Sequence, residues 1–365
     1  MSDELVYQVA LELIPGVGNR GSKQLISYLG SASNVFNTSV SKLKKIPGVG
    51  EKLTQTLLSH KNLNDAEKVI KNAHQIGTHI HHYTNDSFPE RLKHVPDAPN
   101  LLFTKGSGDL NPKRAIAVVG TRKATAYGKR ITDKIVSDLQ ALKTTVYSGL
   151  AYGIDIQAHK ACLKQGTPTF AVLAGGIDRV YPSIHKKYAE QMLANGGLVT
   201  ESIPGTVPER HLFPSRNRII AGITDATIVV EAAEKGGALI TAHIADSYDK
   251  VVFAVPGELG KHYSEGANRL IATQKALIYT KVEDLVYHLN WDLAPDKVQP
   301  AEELDLSEDE RSIYDIMTKA EAPIEIDLIA IKSGIPINKV ASDLLSMEFK
   351  NLVRSFPGKK FGLAQ

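Results

Sequence analysis

The amino-acid sequence predicts an α/β protein built around a parallel sheet, with a helical region before the sheet and a small winged domain after it. Three observations carry this prediction. Short apolar runs rich in β-branched residues alternate with helix-like segments through the middle of the chain, as is typical of strands covered by helices on both faces. The first 80 residues have a helical pattern with an internal repeat. An acidic, proline-containing stretch then precedes the last segment.

Length and composition indicate a globular protein of several domains. Single cores rarely exceed about 250–300 residues, so we expect two or three domains in this chain of 365 residues. The net charge is only +3, so a nucleic-acid site would be a local patch. The single cysteine, Cys162, excludes an intrachain disulfide and a cysteine-cluster metal site. The sequence shows neither a leader pattern nor a long apolar run, so we expect a soluble, cytoplasmic protein without a membrane partner.

The N-terminal domain, predicted over residues 1–80, repeats the motif IPGVG at Ile14–Gly18 and Ile46–Gly50. Each copy precedes a helix-like segment. A Pro-Gly-x-Gly turn exposes backbone N–H groups near the next helix N-terminus, where they can cradle a phosphate. Two copies resemble a tandem helix-hairpin-helix module, a DNA-binding unit that does not read sequence. The alternative is a helical bundle that uses these glycines only for packing.

The central domain, predicted over residues 81–290, contains the apolar runs. Its first part, residues 81–114, is proline-rich and extended, and leads into the sheet. Runs that are apolar at almost every position are expected of strands buried on both faces. The predicted strands are AIAVV (115–119), TTVYS (144–148), TFAVL (169–173), GLVTE (197–201), ATIVVEA (226–232), KVVFAV (250–255) and ALIYT (276–280).

The C-terminal domain, predicted over residues 307–365, follows an acidic linker at residues 291–306. Its first residues, SEDE, form a capping box that begins a helix. Two more helices and a hairpin indicate a winged helix, with these parts expected at Ile326–Ser333, at Ile337–Phe349 and around a turn at Pro357–Gly358. Eight Lys/Arg against nine Asp/Glu favour a protein-contact or regulatory role. Lys359 and Lys360 on the wing leave DNA contact open.

Three strand ends carry residues suited to an anion. Ligands of open parallel sheets bind outside the carboxyl ends of the strands, where hydroxyls, backbone N–H groups and helix N-termini attract phosphates. The candidate residues here are Gly120, Thr121 and Arg122 after the first run, Ser148 and Gly149 after the second, and Gly236, Gly237 and Thr241 after the run at 226–232. Together they indicate a site for several successive phosphates.

The segment FPSRNRIIAG, residues 213–222, adds cations and a ring to the same edge of the sheet. Arginine presents a planar fork of donors that suits phosphate oxygens, and phenylalanine offers a face for a nucleic-acid base. The predicted contacts are Arg210, Phe213, Arg216, Asn217 and Arg218. The alternative is an ordinary amphipathic helix with Phe213 buried and its arginines at the surface.

The sequence lacks the common signatures of cofactor binding and catalysis. GxGxxG does not follow the first strand and GxxxxGK[ST] does not occur, which excludes nicotinamide and ATP sites of those types. Asp155 and His159 share a helix face without a nucleophile motif. We expect Glu201 and Glu231 to orient an arginine or cap a helix rather than to transfer protons. Three histidines without a carboxylate at metal spacing are expected at the surface: His79, His81 and His82. We therefore predict no catalytic residues, no cofactor and no metal.

Six segments in order resemble the DprA/Smf family of DNA-processing proteins: VVGTRKATAYG, SGLAYGIDIQAH, VLAGGIDRVYP, FPSRNRIIAG, KGGALITAHIA and VFAVPG. The resemblance covers almost the whole central domain, and the flanking regions fit the layout of some members. It implies an extended Rossmann-like domain that binds single-stranded DNA without sequence preference, usually as a homodimer. It also implies transfer of the strand to the RecA recombinase during natural transformation, and no catalysis.

The family's contacts carry over to matching positions of this sequence. The phosphate-binding turn corresponds to Gly120–Arg122, and the glycine turn corresponds to Gly236, Gly237 and Thr241. The basic and aromatic contacts correspond to the five residues predicted in and before FPSRNRIIAG. Two positions depart from the usual pattern, because Tyr152 stands where members commonly have arginine and Thr121 where serine is commoner.

A second hypothesis is an enzyme. Rossmann-like nucleotide-cleaving glycosidases related to lysine decarboxylases carry PGGxGTxxE, in which the glutamate performs acid–base chemistry. The corresponding segment here, KGGALITAHIAD, has His243 or Ile244 near that position and no glutamate. The missing carboxylate argues against hydrolysis.

Overall fold

The structure is a computed structural model that describes residues 3–59, 62–291, 306–318, 320, 323–350, 352–356 and 359–363. The chain divides into two compact units, Met1–Leu293 and Ala294–Gln365. Most of the predicted linker at 291–306 and the predicted turn at Pro357–Gly358 lie outside the described residues. The predicted domain boundaries stay predictions.

The N-terminal region is helical, and its glycine turns have the backbone conformation that their sequence predicts. Gly16 and Gly48 have φ of 84° and 76°, values that favour glycine. Buried side chains such as Leu25 and Ile70 share one apolar core with Phe103 of the sheet. The helices are α1 Asp3–Glu12, α2 Gly18–Leu29, α3 Ala32–Asn37, α4 Val40–Leu43, α5 Glu51–Ser59 and α6 Leu63–Gln75.

A nine-stranded sheet forms the centre of the first unit, in the order β1-β2-β6-β5-β4-β3-β7-β8-β9. Each of the seven predicted runs overlaps a strand, and these strands pair in parallel. Two strands that the sequence did not predict add an antiparallel edge. The strands are β1 His79–His82, β2 Leu101–Lys105, β3 Ala115–Val119, β4 Thr145–Ser148, β5 Thr169–Val172, β6 Gly196–Thr200, β7 Ala226–Val229, β8 Val251–Ala254 and β9 Leu277–Ile278.

Helices cover both faces of this sheet, as the apolar runs predict. Val119 and Val172 belong to the core on one face, whereas Ile116 and Val118 belong to the core on the other. The helices of this part are α7 Glu90–Lys93, α8 Ala126–Ala141, α9 Ile154–Gln165, α10 Lys186–Met192, α11 Leu212–Ile223, α12 Gly237–Ser247, α13 Glu265–Ala272 and α14 Val282–His288. The chain adds β4, β5 and β6 on one side of β3 and then β7, β8 and β9 on the other. The strand order therefore reverses beside β3, where such sheets bind ligands.

The expectation of surface histidines is wrong for His82. This side chain is buried because β1 pairs with β2 in the sheet. Its Nδ1 lies 2.8 Å from Thr84 Oγ1. Burial, helped by the positive charge of Lys23, lowers the pKa of His82 to about 4, so the ring is neutral at pH 7.

The second unit has the predicted parts of a winged helix. The capping box forms, since Ser307 N donates to Glu310 Oε2 at 2.9 Å and Glu310 N donates to Ser307 Oγ at 3.2 Å. Ile313, Ile329 and Leu344 are buried in its core. The elements are α15 Glu308–Thr318, β10 Ile324–Glu325, α16 Ile326–Ser333, α17 Ile337–Phe349, β11 Val353–Phe356 and β12 Lys360–Leu363.

Candidate nucleic-acid groove

The three strand ends selected from the sequence lie side by side. β4, β3 and β7 are consecutive neighbours in the sheet and run parallel. Their carboxyl ends therefore share one edge, and the loops at residues 120–125, 149–153 and 230–236 meet there. The first turns of α8, α9 and α12 follow these loops.

The turn after β3 is held rigidly and presents Arg122. A Cβ on Gly120 would lie 2.4 Å from Ile154 Cγ1, so only glycine fits. Thr121 N donates to the carbonyl of Glu231 at 2.7 Å, and the carbonyl of Thr121 accepts from Ile154 N at 3.1 Å. Arg122 is exposed. Its guanidinium lies 5.8 Å from the ring centroid of Phe213, a cation–π distance.

Glu231 braces the same turn from below. Its carboxylate accepts from Thr125 N at 3.0 Å and from Thr125 Oγ1 at 2.5 Å, at the point where α8 begins. The side chain is buried. Glu231 thus acts at a helix start, as the sequence suggested, but indirectly: the cap of α8 is Thr125, whose Oγ1 accepts from Gly128 N at 3.1 Å, and Glu231 holds that cap residue. Glu201 has the other expected role, because it orients Arg218 through an ion pair.

The first turns of α11 bring an aromatic ring and an amide to the edge. Phe213 and Asn217 are four residues apart and lie on one face of the helix. The ring of Tyr181 meets that of Phe213 edge-on, with centroids 6.0 Å apart. Asn217 Nδ2 donates to the carbonyl of Gly237 at 3.4 Å. Through these two side chains, α11 contacts both Arg122 and the start of α12.

Arg216 lies beneath the surface rather than on it. It is 6% exposed, and its Nη1 donates to the carbonyl of Val172. Burial lowers the pKa of its guanidinium, which the carboxylate of Asp155 opposes. Burial likewise raises the pKa of Asp155. A Cβ on Gly149 would lie 2.3 Å from Asp155 Oδ2 and 2.5 Å from Arg216 Nη1, so this glycine leaves room for both side chains.

Three predicted contacts have side chains that serve the fold instead. Ser148 Oγ is buried and donates to the carbonyl of Val118 at 2.6 Å. Thr241 is 2% exposed, and its hydroxyl donates within its own helix. Arg218 bonds to Glu201 and to the carbonyl of Asp97. The expectation that these side chains face a ligand is corrected, because internal acceptors already hold their donors.

Gly236 and Gly237 are open at the N-terminus of α12. A Cβ on either would meet nothing within 4 Å. Gly236 has φ of 172°, which any residue adopts, so neither packing nor backbone conformation requires glycine. The helix has no side-chain cap there. Small residues at an uncapped helix N-terminus leave its N–H groups accessible to an anion.

At this edge of the sheet, Arg122, Phe213 and Arg216 are among the residues that surround a small cavity of about 60 Å³. Sites for small metabolites typically measure roughly 300–1,000 Å³, so this one suits part of a longer molecule lying on the surface. We call it the groove, defined by cations and rings together: Arg122, Arg179, Arg216, Tyr152, Tyr181 and Phe213. Arg210 is exposed just before α11.

The sequence matches the model of the DNA recombination-mediator protein A family over residues 79–290. The chain belongs to this family. A model of the DprA winged helix domain also matches residues 296–359. The putative DNA processing protein DprA of Mycobacterium tuberculosis is 38% identical over 74% of this chain and 70% of its own length.

Two solved DprA structures share the fold. That of Streptococcus pneumoniae has a TM-score of 0.67 and 29% identity, over 79% of this chain and 98% of its own. That of Helicobacter pylori, described for its unique single-stranded DNA binding mode, has a TM-score of 0.52 and 25% identity, over 58% of this chain and 95% of its own.

Sequence reasoning missed two residues of the groove, Arg179 and Tyr181. Both follow β5 in the segment VLAGGIDRVYP, which carries part of the family resemblance. The signal was available, because β5 ends beside β4 at the same edge. Across the part of the chain that the structure describes, no cluster of three or more His, Cys, Asp or Glu suits a metal ion. Within those same residues, no helix has the length and apolarity to cross a membrane.

Proposed function

We propose that this DprA-family chain binds single-stranded DNA along the groove without sequence preference. The convergence of three arginines with three aromatic rings carries the proposal. Guanidinium groups bind phosphate oxygens, and rings stack on unpaired bases. Neither interaction reads the hydrogen-bonding edges of the bases, so every sequence should bind similarly. In duplex DNA the base faces are already stacked and unavailable to these rings.

The strand's phosphates would follow the cations along the sheet edge. Exposed Arg122 and Arg210 offer direct contacts, and buried Arg216 supplies positive charge from below. The open N-terminus of α12 at Gly236–Gly237 adds backbone donors. Thr121, Asn217 and the backbone of Gly120, Ser148 and Gly149 complete the proposed contact surface. The single-stranded DNA binding described for the Helicobacter pylori neighbour supports this assignment.

We further propose that the chain acts as a homodimer in the cytoplasm, protecting incoming single strands and loading the RecA recombinase during natural transformation. These steps follow from the family resemblance. We propose that the chain handles the strand without cleaving it. Among the described residues, no carboxylate lines the groove, and Glu231 is committed to the start of α8.

Salt titration of oligothymidylate binding tests the groove. Each lost phosphate contact on a single strand lowers the log–log salt slope by roughly 0.7, so Arg122→Ala and Arg179→Ala should each lower it by about that amount. Lys164→Ala is the matched control, because this exposed residue lies in the last turn of α9, at the opposite edge of the sheet. Wild-type slopes in both arginine variants would refute the site.

The glycosidase alternative has its own test. The protein would be incubated with nucleoside monophosphates, and release of free base would be measured by chromatography. We expect none. Base release that disappears in Glu231→Gln would instead assign catalysis to this edge of the sheet.

A further inference from the structure

A second basic and aromatic surface lies on α9 and α10, outside the groove. Lys160 of α9 and Lys187 of α10 each place Nζ 4.9 Å from the ring centroid of Tyr188. Both lysines are exposed and the tyrosine is half-buried. We call these three residues the α9–α10 patch.

The two lysine charges of the patch have no acidic partner. Within the described ranges of the chain, no carboxylate lies within 4.0 Å of either ammonium group. Although partial loss of hydration acts in the opposite direction, the two lysines lower the pKa of the Tyr188 hydroxyl. The ring therefore lies in a local positive potential.

An anion placed between these lysines would be stabilised by both. Two like charges held against one ring repel each other across a distance shorter than the screening length of about 10 Å at 0.1 M salt. A phosphate removes that repulsion, and lysine binds phosphate as a compact point charge. The exposed part of the ring offers a stacking surface beside it. Cations interleaved with a ring are the arrangement that holds a single strand.

One side chain of the groove reaches the residue that precedes α10. The ring of Tyr152, which lines the groove, contacts the ring of His185 at 5.1 Å between centroids. His185 is fixed, since its Nδ1 donates to the carbonyl of Leu150 at 2.8 Å. Tyr188 follows three residues later, about one helical turn away. A strand that leaves the groove over Tyr152 and follows α10 would reach the patch.

We propose that the α9–α10 patch is a second contact for the same strand, with a phosphate between Lys160 and Lys187 and a base against Tyr188. This inference rests on the proposed single-stranded DNA binding by the groove. It assigns a direction to the strand's path, from Phe213 past Tyr152 to α10, and predicts a longer binding site than the groove alone provides.

Binding measured against oligonucleotide length tests the patch. Oligothymidylates of about 4 to about 30 nucleotides cover the range from the groove alone to both surfaces. Some of the shortest strands will still bind to the wild-type protein. We expect the double variant Lys160→Gln/Lys187→Gln to bind those strands with wild-type affinity. Because one phosphate contact is lost, the salt slope of longer strands should fall by roughly 0.7. Relative to 1 M salt, this is a loss of roughly fivefold in affinity at 0.1 M salt.

Two comparisons make the result specific. Lys134→Gln/Lys143→Gln removes the same charge from α8 and from the second residue after its end, and should bind every length like wild type. Tyr188→Leu should weaken the long strands about fivefold or more without changing their salt slope. Circular dichroism checks that the variants fold.

Each outcome decides between the two proposals. Wild-type affinity and slope on long strands in the double-lysine variant would overturn the patch and leave the groove standing. Equal weakening of short and long strands would also overturn it, because the lysines would then act at the groove. If wild-type protein binds no oligothymidylate of any length, the proposed function fails and the patch fails with it.

Discussion

Glu231 offers the sharpest test of how the fold presents Arg122. Its carboxylate accepts two hydrogen bonds from Thr125, and its backbone carbonyl accepts a third from Thr121. These three bonds hold both sides of the loop that carries Arg122. Glu231→Ala removes the two side-chain bonds that hold the N-cap residue of α8, Thr125, whereas the backbone bond remains.

The expected cost follows from these contacts. A hydrogen bond to a charged group contributes roughly 1.5–3 kcal/mol to stability, and Thr125 is exposed, so water replaces part of the loss. We expect Glu231→Ala to lower the free energy of unfolding by about 2–4 kcal/mol. Glu231→Gln should lose less, because its amide oxygen can accept from Thr125 N and its amide nitrogen can donate to the hydroxyl.

Urea unfolding followed by tryptophan fluorescence measures this loss. The only tryptophan, Trp291, packs against the core that includes Val136 and Leu139 of α8, so its emission reports the capped helix. Oligothymidylate binding then reports Arg122, whose salt-slope contribution of roughly 0.7 should be reduced when its loop loosens. An alanine variant within about 0.5 kcal/mol of wild type, with an unchanged salt slope, would refute the bracing role of Glu231.

Three further outcomes are expected. Tyr152→Ala should weaken single-stranded DNA binding by about 1–3 kcal/mol at constant salt slope, whereas Tyr152→Arg should raise the slope by roughly 0.7; the reverse pattern would show that the ring does not stack. Gly149→Ala should destabilise the protein by about 1–3 kcal/mol, measured by urea unfolding, because its Cβ would overlap Asp155 and Arg216. Burial lowers the pKa of His82 and His159 from 6.5 to about 4. Between these two pH values, both histidines are therefore protonated in the unfolded chain and neutral in the folded protein. The free energy of unfolding should therefore fall as pH drops from about 6.5 towards 4, and a flat profile would contradict the buried neutral histidines.

The parallel strands were predictable because both of their faces are buried, which makes each run almost entirely apolar. β1 was not predictable in this way. Its sequence HIHH has one apolar residue, and only its last side chain, that of His82, is buried. Its pairing with β2 depends on a segment about twenty residues away. Antiparallel edge strands that are partly exposed need fewer apolar residues, so their pattern is weaker.

The groove, too, was predictable only in part. The sequence placed a cluster of cations and a ring beside three glycine turns, and the order of strands brought them together as expected. The sequence could not show which arginine of FPSRNRIIAG is free to contact a ligand, because the side chains have the same chemistry. Packing placed Arg216 beneath the groove and gave Arg218 a partner in Glu201, seventeen residues earlier in the chain.

By itself, the sequence determined the fold class, the family and the edge of the sheet where the groove lies. All three follow from hydrophobic periodicity and from local motifs, and both of these are formed by residues that are close together in the sequence. Only the tertiary structure decided which polar groups are free for a ligand. The hydroxyls of Ser148 and Thr241 donate to backbone carbonyls inside the protein, whereas the space beside Gly236 and Gly237 is open to a ligand. That distinction depends on partners from distant segments, because a buried donor must find an acceptor wherever the fold supplies one.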